Sequence, residues 1–153
     1  MMTLTSTQIG QLVAQFFLAG AGTLSFAVLF ACPKRTLPCC ALVGAVGWFV
    51  YELAVLYGAD AAAASLIAVI PLSLAARICA VLLKTPVTVF LLTGIFPLVP
   101  GAGIYYTAYY FLQGEEVLFA SKGAETFKVA LALALGIALV CSLPLPGLSL
   151  IHI

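Results

Sequence analysis

Pro97-Leu98-Val99-Pro100-Gly101-Ala102-Gly103 is the stretch on which the fold turns. It stands in the centre of an apolar segment, residues 87–112, long enough to cross a bilayer as a helix. Two prolines three apart remove two backbone donors, and the glycines after them favour irregular dihedrals. The segment is therefore predicted to form two half-helices, roughly 88–96 and 103–112, joined by unwound backbone. Lipid cannot solvate the N–H and C=O groups freed at such a break, so they persist only inside protein or along a wet cavity. The start of the second half-helix, at 101–103, is electropositive and suited to a carboxylate, and glycine leaves the backbone open to approach. Tyr105, Tyr106, Tyr109 and Tyr110 follow at once with hydroxyls and flat apolar faces. Pro97, Pro100, Gly101, Gly103, Tyr105 and Tyr106 are the candidate substrate-binding residues. The competing reading is a kinked structural helix with an interfacial aromatic belt.

Composition explains why the segment meets lipid at all. Of 153 residues, 65% are hydrophobic and 7% charged, against about 45–50% and about 25% in an ordinary soluble domain. So few charges cannot coat a small soluble fold. The expected fold is all-α, an integral membrane helical bundle of about five spans with the fourth broken at the proline–glycine block. The spans are expected near 9–32, 39–57, 61–83, 87–112 and 125–143, within a single transmembrane domain over 1–147. Pro71 kinks the third span without excluding it. Leu29-Phe30-Ala31-Cys32 resembles a lipoprotein cleavage box, but Lys34-Arg35 follows the apolar run instead of preceding it, so this run is read as a retained span. Residues 113–123 read as a polar loop.

Lys34, Arg35, Arg77 and Lys84 cluster around the first-to-second and third-to-fourth connections. Asp60 and Glu115-Glu116 mark the opposite side, with Lys122 the exception. Under the positive-inside tendency this multi-pass protein of the inner, cytoplasmic membrane has its N-terminus outside and its C-terminus in the cytoplasm. The tail Leu148-Ser149-Leu150-Ile151-His152-Ile153 is what a widely used transposase sequencing adapter reads in translation. Residues 148–153 are accordingly read as an artefact replacing the true C-terminus, and His152, the single histidine, is given no mechanistic role.

Two ionisable residues fall inside spans. Glu52 lies six residues before Gly58, roughly 9 Å from the outer end, and reads either as a coupling group or as an interfacial or interhelical hydrogen-bonding group. Arg77 lies seven residues before Lys84, roughly 10 Å from the inner end, a depth from which its stem can snorkel to the headgroups. Those depths leave the two on the order of 10 Å apart along the membrane normal, too far for a direct ion pair. The five cysteines, Cys32, Cys39, Cys40, Cys79 and Cys141, contain no CxxC pair and read as packing residues, not metal ligands. No cofactor is implied. No GxSxG, HExxH or phosphate-binding loop is present, so the chain is not read as an enzyme. Six basic residues scattered through apolar sequence give no nucleic-acid surface. Small residues four apart form flat stripes, Ala132 with Gly136, Ala130 with Ala134 and Ala138, and Ala61 to Ala64 with Ala68. They suit either the internal bundle or a partner subunit.

Taken together, Phe26 to Phe30 leading into Pro33 and Arg35, Cys40 to Gly47, Pro97 to Gly101 followed by Tyr105, and Ser142-Leu143-Pro144 resemble the threonine/serine exporter family. The chain resembles its small subunit type, the half that carries the broken segment, nearly end to end. The resemblance implies a secondary exporter of two halves moving threonine and serine or, in some two-subunit forms, dicarboxylates such as succinate. The implied partners are a larger complementary subunit in a hetero-oligomer, the lipid bilayer and a small-molecule substrate. A second reading from another class is a non-transporting scaffold or assembly subunit that uses its alanine–glycine faces.

Overall fold

The computed structural model describes residues 6–143. The adapter-like tail, His152 and Pro144 lie outside the described residues. Helix α1 (Ser6–Leu29) leads through a short 3-10 turn, Lys34–Thr36, into α2 (Leu37–Leu56) and α3 (Ala61–Leu83). Then come α4 (Val87–Gly94), a 3-10 turn at Phe96–Leu98, α5 (Gly101–Gln113) and α6 (Glu116–Ser142). The fold is an all-helical membrane bundle. Among the described residues four helices are long and apolar enough to cross a membrane, and the α4–α5 pair, bent by 60°, is either a fifth, broken span or a re-entrant loop. Large apolar side chains such as Phe17, Leu82 and Leu112 point outward. Water would reject such a surface, whereas hydrocarbon accepts it.

Several ends shift from the sequence reading, each for a local reason. Pro38 sits in the first turn of α2, where its missing N–H costs nothing, so the helix starts at Leu37 and not at Cys39. The polar loop expected over 113–123 is mostly helix, and α6 begins at Glu116 instead of near Glu125. Gly114, in the left-handed region at φ 73°, closes α5 and turns the chain within two residues. The polar residues that follow extend α6 past the apolar region as a helix. Pro71 lies inside an otherwise continuous α3.

Small residues set how closely the helices approach. Helix α3 is central, packed on α2, α4 and α6. Its buried positions Ala64, Ala68, Leu72, Ala76 and Ala80 recur every fourth residue and so share one face. On α2, a methyl at Gly44 would come within 2.8 Å of Thr23 Cβ on α1, and Gly47 lies against Leu72 on α3. Gly94, the last residue of α4, would meet Val43 at 2.6 Å in the same way. Without glycine at these points the backbones could not approach this closely.

The two stripes of α6 part company. Ala132 and Gly136 turn toward the bundle, with Gly136 buried hard against Val69 of α3, while Ala130, Ala134 and Ala138 are exposed. Gly136→Ile should therefore separate α3 from α6 and cost about 1–3 kcal/mol or more of stability, the usual range for overpacking. Ala134→Ile on the outward stripe should change stability by less than about 0.5 kcal/mol. Thermal unfolding in detergent, followed by circular dichroism, distinguishes the two. Equal melting temperatures for both variants would contradict this packing.

Candidate functional site

The break is held by specific contacts. The α4 helix ends at Gly94, Ile95 leads into the 3-10 turn at Phe96–Leu98, and Val99 and Pro100 follow outside helix before α5 begins. The unwound part is thus shorter than the sequence predicts. Pro100 adopts φ −75° and ψ 60°, an inverse γ-turn closed by the Gly101 N–H donating to the Val99 carbonyl at 2.7 Å. Phe96 fixes the turn to α1, stacking on Phe26 with ring centroids 4.1 Å apart and lying 5.4 Å from Phe30.

Backbone groups are left over, as the sequence predicts. The Ile104 N–H reaches the Pro100 carbonyl at 2.9 Å, but among the described residues the Ala102 and Gly103 N–H groups find no acceptor, and the Pro97 and Leu98 carbonyls find no donor. These four groups lie along a cavity of about 400 Å³ walled by residues 97–103. Its other walls are Trp48 and Tyr51 of α2, Ala61 and Ser65 of α3, and Lys122, Glu125 and Thr126 of α6. Ala61 opens α3 and Lys122 lies near the start of α6. The cavity therefore lies toward the end of the bundle that bears the α2–α3 and α5–α6 turns.

The cavity carries both charges. Lys122 donates to the Glu125 carboxylate at 2.7 Å across one turn of α6. Both side chains are substantially exposed, at 39% and 57%, so the pair adds little to stability and is free to exchange partners. Trp48 stacks on Tyr51 with centroids 5.2 Å apart, giving an aromatic wall opposite the break. Gly103 is fixed by packing, since a methyl there would lie 2.5 Å from Thr126 Oγ1. Gly101 differs, because a methyl there would meet nothing within 4 Å.

Of the candidates read from the sequence, Pro97, Pro100, Gly101, Gly103 and Tyr106 line this cavity together. Tyr105 does not. It is 63% exposed and stacks with Tyr109 on the outer face of α5, because consecutive helical residues point about 100° apart. Glu52 opens instead onto a separate cleft between α1 and α2. Arg77 also lies elsewhere. Its stem reaches the end of the bundle, and Nη1 donates to the Val140 carbonyl at 2.5 Å and the Leu143 carbonyl at 2.9 Å. The guanidinium thereby satisfies the Leu143 carbonyl at the C-cap of α6, adds a second donor to the Val140 carbonyl that already accepts from the Leu143 N–H, and sits at the favourable end of the helix dipole. No Glu52–Arg77 pair forms among the described residues. Lys122, Glu125, Trp48 and Tyr51 were missed as site residues. Trp48 and Tyr51, three apart, do share a face with the span's helical period, which is a signal the sequence held. Among the described residues no cluster of three or more histidine, cysteine or acidic groups is placed to hold a metal ion.

The Arg77 cap is testable by itself. Arg77→Leu should destabilise the bundle by about 1–3 kcal/mol through the Leu143 carbonyl left open and the lost charged bond to Val140. Arg77→Lys should recover part of that loss, because one ammonium can still reach a carbonyl. Melting temperatures in detergent check the order, and Arg77→Leu melting with the parent would contradict it.

No curated protein and no solved structure matches the chain. The sequence over residues 15–143 matches the family described as Threonine/Serine exporter, ThrE, a stretch that includes every helix of the bundle in whole or in large part and the entire cavity. A multi-pass helical bundle with a broken helix at a cavity suits a membrane transporter, and the chain belongs to the threonine/serine exporter family.

Proposed function

We propose that the cavity at the broken α4–α5 segment binds a small zwitterionic amino acid, threonine or serine, for export across the inner membrane. The observation that carries this reading is the company the open backbone groups keep. Two N–H groups at the start of α5 are matched to a carboxylate, an anion that a helix N-terminus favours. The Pro97 and Leu98 carbonyls and Glu125 are matched to an ammonium group. Ser65 and Thr126 donate to the Ala61 and Lys122 carbonyls but keep lone pairs that can accept from a hydroxyl side chain. A dicarboxylate such as succinate would find Lys122 but would also face Glu125, so the amino acid is the better fit.

A partner subunit completes this reading. Helix α5 has no buried residue and packs on α6 alone among its substantial neighbours. Beside it, an apolar groove of about 860 Å³ runs between α5 and α6, and Ala130 and Ala134 of the outward stripe lie in it. A helix of a larger complementary half would fill such a groove and stop α5 from swinging freely. The scaffold alternative uses the same groove but leaves the polar cavity without a purpose. The basic residues at the α1–α2 and α3–α4 turns support an orientation with the N-terminus outside. The cavity would then lie toward the external face, where an exporter releases its cargo.

Proteoliposomes containing this chain with its complementary half test the proposal. Labelled threonine should move. Gly101→Leu, whose side chain has room to enter the cavity without displacing backbone, should reduce transport at least tenfold while leaving folding intact. Glu125→Gln should weaken threonine transport by a similar factor, and Tyr105→Ala should leave it within about twofold, as expected of an outward residue. Unimpaired transport by Gly101→Leu together with Glu125→Gln would remove the cavity from the mechanism, and transport by the partner alone would favour the scaffold.

A further inference from the structure

The polar groups of α1 belong to no site described so far. Gln8, Gln11 and Gln15 are spaced three and four apart and so share one face of a helix that otherwise carries apolar and small residues. Between Ser6 and Leu29 there is no ionisable side chain. The glutamine face is turned to α2, where Glu52 and Leu56 close a cleft of about 310 Å³ with Gln8, Gln11 and Gln15. Glu52 lies four residues before the end of α2 and is partly buried, which places the cleft toward that end of the bundle. Its carboxylate accepts no hydrogen bond among the described residues, although amides stand around it. Glu52 thus stands among neutral amides and makes no ion pair among the described residues.

This cleft is joined to the cavity at the break. Gln15 Oε1 accepts a hydrogen bond from Trp48 Nε1 at 3.0 Å. Gln15 is thus a wall of the cleft, while Trp48 is a wall of the cavity and stacks on Tyr51 beside it. On α2, Tyr51 faces the cavity and its neighbour Glu52 faces the cleft. We propose that the α1–α2 cleft is a proton-binding site, with Glu52 as the group that takes up the proton, and that the Gln15–Trp48 hydrogen bond transmits its state to the wall of the cavity. Protonated Glu52 gains an O–H donor and competes for the Gln15 carbonyl oxygen, which loosens Trp48. Deprotonated Glu52 has no donor to offer, so the Gln15 carbonyl oxygen stays with Trp48, as in the structure. The use of this site to couple a proton gradient to export rests on the reading given under Proposed function. The proton site itself does not.

The other titratable groups near this element are few. Tyr51 and Tyr57 lie on or just beyond α2, Asp60 caps α3, and Glu125 with Lys122 approach Tyr51 from α6. Trp48 is the single tryptophan, so its emission reports the link directly. The purified full chain in detergent is titrated between about pH 4 and 8, below the range in which tyrosine ionises. Emission should pass through one transition that Glu52→Gln abolishes, that Glu52→Asp retains and that Glu125→Gln leaves in place. Gln15→Leu should reduce its amplitude severalfold. A transition of full size in Glu52→Gln, or none in the parent chain, would overturn the proposal. Threonine added during the titration separates the two readings. If it leaves emission unchanged while the Glu52-dependent transition persists, the proton site stands and the cavity loses its substrate.

Discussion

A peptide group in hydrocarbon must find its hydrogen-bond partner within the protein, at a cost of several kcal/mol when it does not. In this bundle four long helices and two half-helices meet that requirement through their own ladders, and the block at Val99–Pro100 does not. Pro97 and Pro100 withdraw two donors, the γ-turn at Pro100 uses the Gly101 N–H, and what remains unpaired borders a polar cavity. The positions of the aromatic wall, of the Lys122–Glu125 pair and of the small residues that press α6 onto α3 all follow from enclosing that one break.

Close packing supplies the enclosure. Gly44, Gly47 and Gly136 bring α1, α3 and α6 to distances at which a single methyl would collide, and the alanine ladder of α3 presents a flat central face. Hydroxyl groups in the spans are mostly quieted locally. Thr23, Ser65 and Thr93 each donate to a carbonyl four residues earlier, so they add polarity without opening the helix. The polar atoms that stay available are concentrated along the cavity and the α1–α2 cleft, on either side of Trp48.

The apolar composition and the proline–glycine block made the fold readable before any coordinates, because both act locally and neither needs a tertiary partner. The same holds for the leftover backbone groups at 97–103, which follow from proline chemistry alone. Side-chain direction was harder. Tyr105 and Tyr106 are adjacent in sequence and both exposed, yet only Tyr106 borders the cavity, and the phase of α5 that decides between them depends on where Pro100 ends the γ-turn. Arg77 looked like a snorkelling residue because its donors find their acceptors on a helix more than sixty residues away. Lys122 read as a topological exception and Glu125 as a span boundary, since their shared role appears only when α6 is seen to begin at Glu116. The glutamine face of α1 was visible as spacing, but its meaning depends on Glu52 packing opposite.

The central physical claim is that the amides around the break are open to a polar, solute-accessible space. Hydrogen–deuterium exchange of the full chain in lipid nanodiscs measures this directly for the segment 95–103. Exchange there should be fast compared with the flanking α4 and α5 helices, and it should slow markedly when threonine is added. Protection equal to that of the neighbouring helices, unchanged by threonine, would contradict the account.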